Sequence, residues 1–214
     1  MKQFGIVPLA ALTIATCFAA TSSAQVVVIH DESLSGDLSN NPLAPTPFTL
    51  VAGGNNIIGS VGDSDSQDWV RVNVPAGLQM TGLLHVSYSA SDPQGFLGFD
   101  DQPTFTGSPF TPSSYQGYAH FGLAATNGNL PTTNTVGLNM LTIMANPAAY
   151  FAGQEPQGVT LPLGPGAYTF LFQQLGNQSD YEFSFQVATV PEPTSVGLML
   201  VPLGGWLIRR LRRT

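Results

Sequence analysis

The sequence predicts an all-β protein in which two antiparallel sheets pack face to face as a β-sandwich. Only 9% of the 214 residues are charged, and the chain contains 23 Gly and 17 Pro, a composition that favours short strands and turns. Short runs of alternating apolar and polar residues recur, and no long run follows the period of an amphipathic helix. A chain of this length is expected to form one domain with short appendages.

The strands are predicted from these alternating runs. The clearest is 181–187, where aromatic and apolar side chains face one way and polar side chains the other. Residues 69–74 alternate likewise and end at a Pro-Ala-Gly turn. The other predicted strands cover residues 26–30, 56–61, 84–88, 118–124, 136–144 and 168–172. About eight strands that each bury one face require two sheets that cover one another.

Basic residues lie at the two ends of the chain and acidic residues lie in its body. Lys2 is close to the N-terminus, four arginines follow residue 208, and Arg71 stands alone among twelve Asp and Glu in residues 25–190. A body of this charge repels phosphate backbones, which excludes nucleic acid as a partner.

The N-terminal segment, residues 1–24, is predicted to be a helical signal peptide. Lys2 precedes a largely apolar run that ends in small residues suited to cleavage. We expect signal peptidase to cut between Ala24 and Gln25. Cys17 is the only cysteine and would be removed with this segment, so the mature body is expected to contain no disulfide.

The C-terminal segment, residues 190–214, has three parts. The motif Pro191-Glu192-Pro193 is followed by an apolar stretch that would form a short hydrophobic helix. This helix would be about 22 Å long, which is shorter than a bilayer core of about 30 Å. The third part is a basic cluster that is expected to stay on the cytoplasmic side and to leave the body outside. The cluster consists of Arg209, Arg210, Arg212 and Arg213.

This order of motif, hydrophobic helix and arginine cluster resembles a PEP-CTERM sorting signal, a tail also called the ice-binding protein C-terminal domain. The resemblance implies a Gram-negative bacterial protein that contacts the inner membrane transiently and is cut near the motif by an exosortase-type membrane protease. It also implies delivery to the cell surface or to an extracellular matrix rich in exopolysaccharide. The alternative is an ordinary anchor that stays attached, which the short apolar stretch disfavours.

The body, residues 25–189, contains two segments similar to the bacterial pre-peptidase C-terminal domain. Residues 56–77 combine a glycine-containing strand, an acidic loop, an Asp-Trp strand and a Pro-Ala-Gly turn, in that family's order. Residues 161–185 contain a similar Gly-x-Tyr strand and a final Tyr strand. The resemblance implies a jelly-roll-like sandwich and no particular activity, and residues 92–149 depart from the family pattern.

The acidic loop offers a candidate cation site. Asp63, Asp65 and Asp68 place three carboxylates just before a strand, and Ca²⁺ prefers clustered oxygen ligands. The alternative is that these carboxylates only solvate the turn and accept hydrogen bonds within it. Asp100 and Asp101 form a weaker candidate, which would gain support if Asp100 lay near Asp65. Calcium is therefore a possible ligand, and no other cofactor is indicated.

Catalytic motifs are not evident in the sequence. His30, His85 and His120 lie outside known catalytic patterns, and His85 is expected to face solvent on the same strand face as Ser87. A zinc site built from the three histidines, or a glycosidase pair of carboxylates, would depend on the fold. We therefore expect a protein that is not an enzyme.

Three classes of function remain. The first is a non-catalytic surface or matrix protein with a structural or adhesive role. The second is a calcium-assisted glycan-binding module, which requires an exposed patch of aromatic side chains. The candidates for such a patch are Trp69, Tyr115, Tyr118 and Tyr150. The third, least favoured, is a secreted hydrolase.

Overall fold

The computed structural model describes residues 25–191, which form two mixed β-sheets packed against each other. The predicted all-β sandwich is therefore confirmed. No helix within these residues is long and apolar enough to cross a membrane. The predicted signal peptide, the membrane-flanking arginines and most of the sorting motif lie outside the described residues. Of that motif only Pro191 is described, and it is exposed.

Within this range the chain forms nine strands and two short α-helices. The strands are β1 (Val26–Asp31), β2 (Thr46–Thr49), β3 (Gly53–Val61), β4 (Gln67–Val74), β5 (Leu78–Ala90), β6 (Gln94–Asp100), β7 (Gly117–Gly122), β8 (Gly166–Gln173) and β9 (Ser179–Thr189). The helices are α1 (Glu32–Ser35) and α2 (Met140–Met144). The four-stranded sheet has the order β1-β3-β9-β5, and the five-stranded sheet has the order β2-β4-β8-β6-β7.

The expectation of purely antiparallel sheets is wrong at one edge of each sheet. Strand β1 pairs in parallel with β3, and β2 pairs in parallel with β4. After β1 the chain crosses to the other sheet for β2 and returns for β3, so both pairs join strands that run the same way. Alternation of side chains fixes which face is buried and carries no information on strand direction.

The core lies between the two sheets and is rich in aromatic side chains. Phe183 of β9 stacks on Phe172 of β8 with 4.8 Å between the ring centroids. Full burial of such a side chain contributes about 1.5–3 kcal/mol. The fully buried residues that meet in this core include Ile57, Val70, Val72, Leu83, Leu97, Phe121, Phe170, Phe172, Phe183 and Phe185.

The expectation that His85 faces solvent is wrong. A bulge in β5 between His85 and Ser87 shifts the register against β9, so that His85 and Tyr88 both face the core. His85 is completely buried and stacks on Phe183 with 4.8 Å between the ring centroids. Simple alternation assigns the wrong face to one side of a bulge because the bulge adds one unpaired residue.

The strand predicted at residues 136–144 is also wrong, because α2 occupies its C-terminal half. The Asn139 side chain caps this helix by accepting a hydrogen bond from Leu141 N, and it also accepts one from Leu83 N of β5. Met140, Leu141 and Met144 are buried against the sandwich. A short apolar run does not distinguish a buried helix from a strand.

A second, smaller core covers the outer face of the five-stranded sheet. Trp69 of β4 stacks on Phe105, and Phe105 stacks on Tyr115, with ring centroids 5.0 and 4.7 Å apart. Tyr115 lies directly over Gly98 of β6, where an added Cβ would clash with its ring. The segment between β6 and β7 is therefore held against the sheet by aromatic packing.

Candidate metal centre

Carboxylates from three parts of the chain meet at one end of the sandwich. Glu32 and Asp37 come from α1 and the loop after it, and Asp68 comes from β4. Ligand oxygens of these three residues all lie within 4.8 Å of one another. Asp65 lies beside them. Burial raises the pKa of the Asp65 carboxyl, and the nearby charge of Asp37 raises it further. Among the described residues, no other set of three or more His, Cys, Asp or Glu gathers its ligand atoms in this way.

Glu32 is held in place by backbone donors. The Asp31 carboxylate caps α1 by accepting a hydrogen bond from Ser33 N at 3.0 Å, so that Glu32 starts the helical turn. One Glu32 oxygen accepts from Ser60 N at 2.7 Å and the other from Leu38 N at 3.3 Å. Because both oxygens are anchored, the carboxylate has a fixed orientation toward the cluster.

Asp68 is the deepest member of the cluster. It is fully buried, and its Oδ2 accepts a hydrogen bond of 2.6 Å from the Tyr181 hydroxyl of β9. Its Oδ1 is also buried and has no hydrogen-bond partner among the residues that the structure describes. An unpaired oxygen of a buried carboxylate is costly unless a proton or a cation satisfies it.

Gly59 makes room for this arrangement. A Cβ at that position would lie 2.6 Å from the Tyr181 hydroxyl oxygen and 3.2 Å from Glu32 Cδ. A side chain there would displace one of these two groups. Gly59 in β3 is therefore required by close approach and not by backbone conformation.

Burial and mutual repulsion disfavour the charged forms of these carboxylates. Burial raises the pKa of Asp68 to about 8, the Tyr181 hydrogen bond opposes this, and the charges of Glu32, Asp65 and Asp37 add to it. Burial likewise raises the pKa of Glu32, against the hydrogen bonds from Ser60 and Leu38. The only basic residue of residues 25–191 is Arg71, so no lysine or second arginine is present there to neutralise the cluster.

A divalent cation with oxygen ligands resolves this electrostatic conflict. Calcium binds oxygens at about 2.3–2.6 Å, so two ligands on opposite sides of one ion lie roughly 5 Å apart, which agrees with the spacing of this cluster. Neither Cys nor His belongs to the cluster, which disfavours zinc and other softer metals. The residues present therefore fit Ca²⁺.

The structure gathers the carboxylates of the predicted loop only in part. Asp68 and Asp65 lie in or beside the cluster, whereas Asp63 is exposed in the turn that joins β3 to β4. Sequence reasoning missed Glu32 and Asp37, which no spacing rule connects with the loop. The available signal was weak: Asp31 and Glu32 directly follow the first predicted strand, residues 26–30.

Asp100 and the histidines do not join this centre. Asp100 pairs with Thr169 of β8, whereas Gln67 at the cluster end pairs with Gln173, so Asp100 does not lie near Asp65. The three histidines lie in β1, β5 and β7 and do not converge on a common metal position. His30 packs near Phe48, and His120 packs near Phe96.

The four aromatic candidates for glycan stacking do not form the exposed patch that this alternative requires. Trp69 and Tyr115 are each 1% exposed, because they pack into the second core. Tyr118 and Tyr150 are each 6% exposed and pack against each other. Side chains buried to this degree present no ring face to a sugar.

Comparison of the chain with protein-family models, with curated proteins and with solved structures finds no match. The similarities of the tail to PEP-CTERM signals and of the body to pre-peptidase C-terminal domains therefore stay predictions from sequence. Fold and site define an all-β sandwich domain with an acidic centre, and its function is argued from that centre.

Proposed function

We propose that this chain is an exported cell-surface or extracellular-matrix protein with a non-catalytic, structural or adhesive role, whose β-sandwich binds calcium at the acidic centre. The ligands are Glu32, Asp37 and Asp68, with Asp65 beside them. In this proposal signal peptidase and an exosortase-type protease process the two ends of the chain, and exopolysaccharide surrounds the mature domain.

The observation that carries the calcium site is the unpartnered and buried Oδ1 of Asp68, in a carboxylate that gathers with those of Glu32 and Asp37. Clusters of exposed acidic residues are common without an ion. A buried carboxylate with one unpaired oxygen among other carboxylates is unfavourable without a counter-ion or a proton.

The position of the centre supports a structural role for the ion. Glu32 follows the edge strand β1, Asp65 belongs to the turn before β4, and Asp68 is bonded to Tyr181 of the opposite sheet. An ion at this point ties the N-terminal edge of one sheet to the other sheet. Extracellular calcium modules bind with Kd of about 10⁻⁴–10⁻³ M, an affinity suited to the medium outside the cell.

The calcium proposal is tested by thermal unfolding of the purified protein in CaCl₂, in MgCl₂ and in EGTA. Calcium at about 100 times its Kd stabilises by about 2.7 kcal/mol, so Tm is expected to rise by several degrees in CaCl₂ and to return in EGTA. Magnesium is expected to act more weakly because it requires stricter octahedral geometry. A Tm that does not respond to calcium contradicts the proposal.

The export proposal is tested by intact mass and fractionation of the protein from its producing cells. The wild type is compared with a variant in which Pro191, Glu192 and Pro193 are replaced by alanine. We expect the mature wild type to begin at Gln25, to lack the arginine cluster and to accumulate outside the cell, and the variant to stay in the membrane. A full-length tail retained in the membrane in both proteins argues against processing by an exosortase-type system.

A further inference from the structure

A cleft lies on the outer face of the five-stranded sheet, apart from the acidic centre. Its volume is about 380 Å³, within the range of small-ligand sites. Its floor is one row of paired residues across three strands, in which Phe96 of β6 lies between His120 of β7 and Gln173 of β8. One wall comes from the segment that the second core holds against the sheet, including Phe110.

The cleft offers two aromatic rings to a ligand. Phe96 on the floor is half-buried, and Phe110 on the wall is 68% exposed. Phe96 packs against Tyr115 and Tyr118 with ring centroids 5.6 and 5.7 Å apart, which fixes the orientation of its ring. A large exposed aromatic side chain at the mouth of a cleft is a typical ligand contact.

A residue of the cleft floor carries an unsatisfied hydrogen-bond donor. Gln173 is only 5% exposed, lines the cleft, and has an Nε2 with no partner within residues 25–191. Its neighbour Gln174 is fixed, since its Nε2 donates to Gln94 O at 2.7 Å and its Oε1 accepts from Gly176 N at 2.9 Å. Burial of a donor amide without a partner is unfavourable, and a ligand acceptor would satisfy it once the Gln173 side chain turned its buried Nε2 toward the cleft.

The charge of the cleft selects the chemistry of the ligand. No Lys or Arg lines it, and Asp92 contributes a carboxylate, so an anionic ligand would be repelled. Gln94 is held by a hydrogen bond from Thr126 N to its Oε1, which leaves its amide N–H groups for a ligand. Amides, a carboxylate and an imidazole beside aromatic rings match a ligand with many hydroxyl groups and apolar C–H faces.

We propose that this cleft binds a neutral sugar unit of a glycan, with Phe96 and Phe110 against its C–H face and Gln173, Gln94 and Asp92 bonded to its hydroxyls. A neutral sugar supplies an acceptor to Gln173 Nε2 and donors to Asp92, which no purely apolar ligand does. The inference rests on the adhesive role proposed above and gives that role a ligand class. The acidic centre shares no lining residue with the cleft. An experiment can therefore contradict the calcium proposal without contradicting the sugar proposal, and the reverse.

The test is isothermal titration calorimetry of the exported protein, purified from its producing cells. The probes are neutral oligosaccharides of glucose, galactose, mannose and N-acetylglucosamine, with an alginate oligosaccharide as the anionic probe. The variants are Phe110→Ala and Gln173→Leu. Phe151→Ala is the matched control, because Phe151 is 46% exposed and lies outside the cleft.

We expect at least one neutral oligosaccharide to bind, and Phe110→Ala to weaken that binding about tenfold with Tm unchanged. Gln173→Leu is expected to weaken it by a similar factor, and Phe151→Ala to leave it unchanged. The proposal is overturned if no neutral probe binds, if alginate binds more tightly, or if Phe110→Ala binds as well as wild type. Persistence of binding in EGTA is expected and separates this site from the calcium centre.

Discussion

The Tyr181 hydroxyl donates a 2.6 Å hydrogen bond to Asp68 Oδ2, and this bond joins the two sheets across the core. Tyr181 also stacks on Phe172 with 4.9 Å between the ring centroids, so its hydroxyl has little freedom to move. The pKa of the Tyr181 hydroxyl is raised well above 10 by burial first and by Asp68 second, so it stays a donor. Asp68 therefore has one oxygen bonded to Tyr181 and one without a hydrogen-bond partner among the described residues.

Asp68→Asn is expected to abolish the response of Tm to calcium. In EGTA the variant should be more stable than wild type at pH above about 8, because the folded carboxyl keeps its proton up to about that pH and the unfolded one ionises near 3.8. Wild-type stability in EGTA therefore falls as pH rises between these values, and Asn has no such loss. Thermal unfolding in EGTA and in CaCl₂ across this pH range measures both effects.

Asp63→Asn is the matched control for this substitution. Asp63 is exposed in the turn, and its carboxylate does not belong to the cluster of Glu32, Asp37 and Asp68. The Tm of this variant is therefore expected to respond to calcium much as that of wild type does. Equal loss of the calcium response in both variants would mean that the turn, and not the cluster, holds the ion.

Gly59→Ala is expected to disturb the acidic centre. Its Cβ would meet the Tyr181 hydroxyl at 2.6 Å and Glu32 at 3.2 Å, and such overpacking costs about 1–3 kcal/mol. Gly164→Ala is the control, because an added Cβ there meets nothing within 4 Å. Chemical unfolding of both variants, with and without calcium, should show lower stability and weaker calcium binding for Gly59→Ala only.

His85 is expected to make the fold sensitive to acid. Burial lowers the pKa of His85 to about 4 from 6.5, so the unfolded chain takes up a proton before the folded one does. The contribution of neutral His85 to the free energy of unfolding is fully present above pH 6.5. It decreases by roughly 2–3 kcal/mol as the pH falls toward 4.

His85→Phe isolates this effect, because every carboxylate is common to the two proteins. Chemical unfolding at several pH values should show that wild type loses more stability than the variant over that interval. Parallel pH profiles would mean that His85 is protonated without cost in the folded protein.

Phe105→Ala is expected to release the segment between β6 and β7. Phe105 lies between Trp69 and Tyr115 in the stack on the outer face, and loss of a buried Phe costs about 3–5 kcal/mol. Limited proteolysis should cut this segment faster in the variant, and near-ultraviolet circular dichroism should report the loosened Trp69. Phe110→Ala serves as the control, because that side chain is 68% exposed. Equal cleavage rates in the two variants would count against a role for the stack in holding the segment.

Most strands could be predicted from the sequence because each strand buries one face, and this produces a local alternation of apolar and polar residues. The run 181–187 lies within β9, and 69–74 lies within β4. Strand β6 was missed because Gly95 and Gly98 interrupt its pattern, and both glycines are needed where Phe121 and Tyr115 approach the backbone. The need for these glycines is set by distant residues, which a local pattern does not contain.

The acidic centre was less predictable than the fold. Asp65 and Asp68 share a loop with Asp63, and their spacing suggested a site. Glu32 reaches that site only because β1 pairs in parallel with β3, which brings the end of β1 beside Ser60. Pairing of this kind depends on the path of the whole chain, so residue spacing alone did not reveal it.

The parallel pairing of β1 also decides where the two ends of the domain lie. Val26 pairs with Gly54, which pairs with Gln186 of β9, so the chain enters and leaves the sandwich at the same end. Both the acidic centre and the cleft over Phe96 lie toward the opposite end, near Asp68 and Gln173. If the domain were attached to a surface through either terminus, the same end of the sandwich would lie farthest from that surface. The acidic centre and the cleft would therefore face away from the surface whichever terminus was attached.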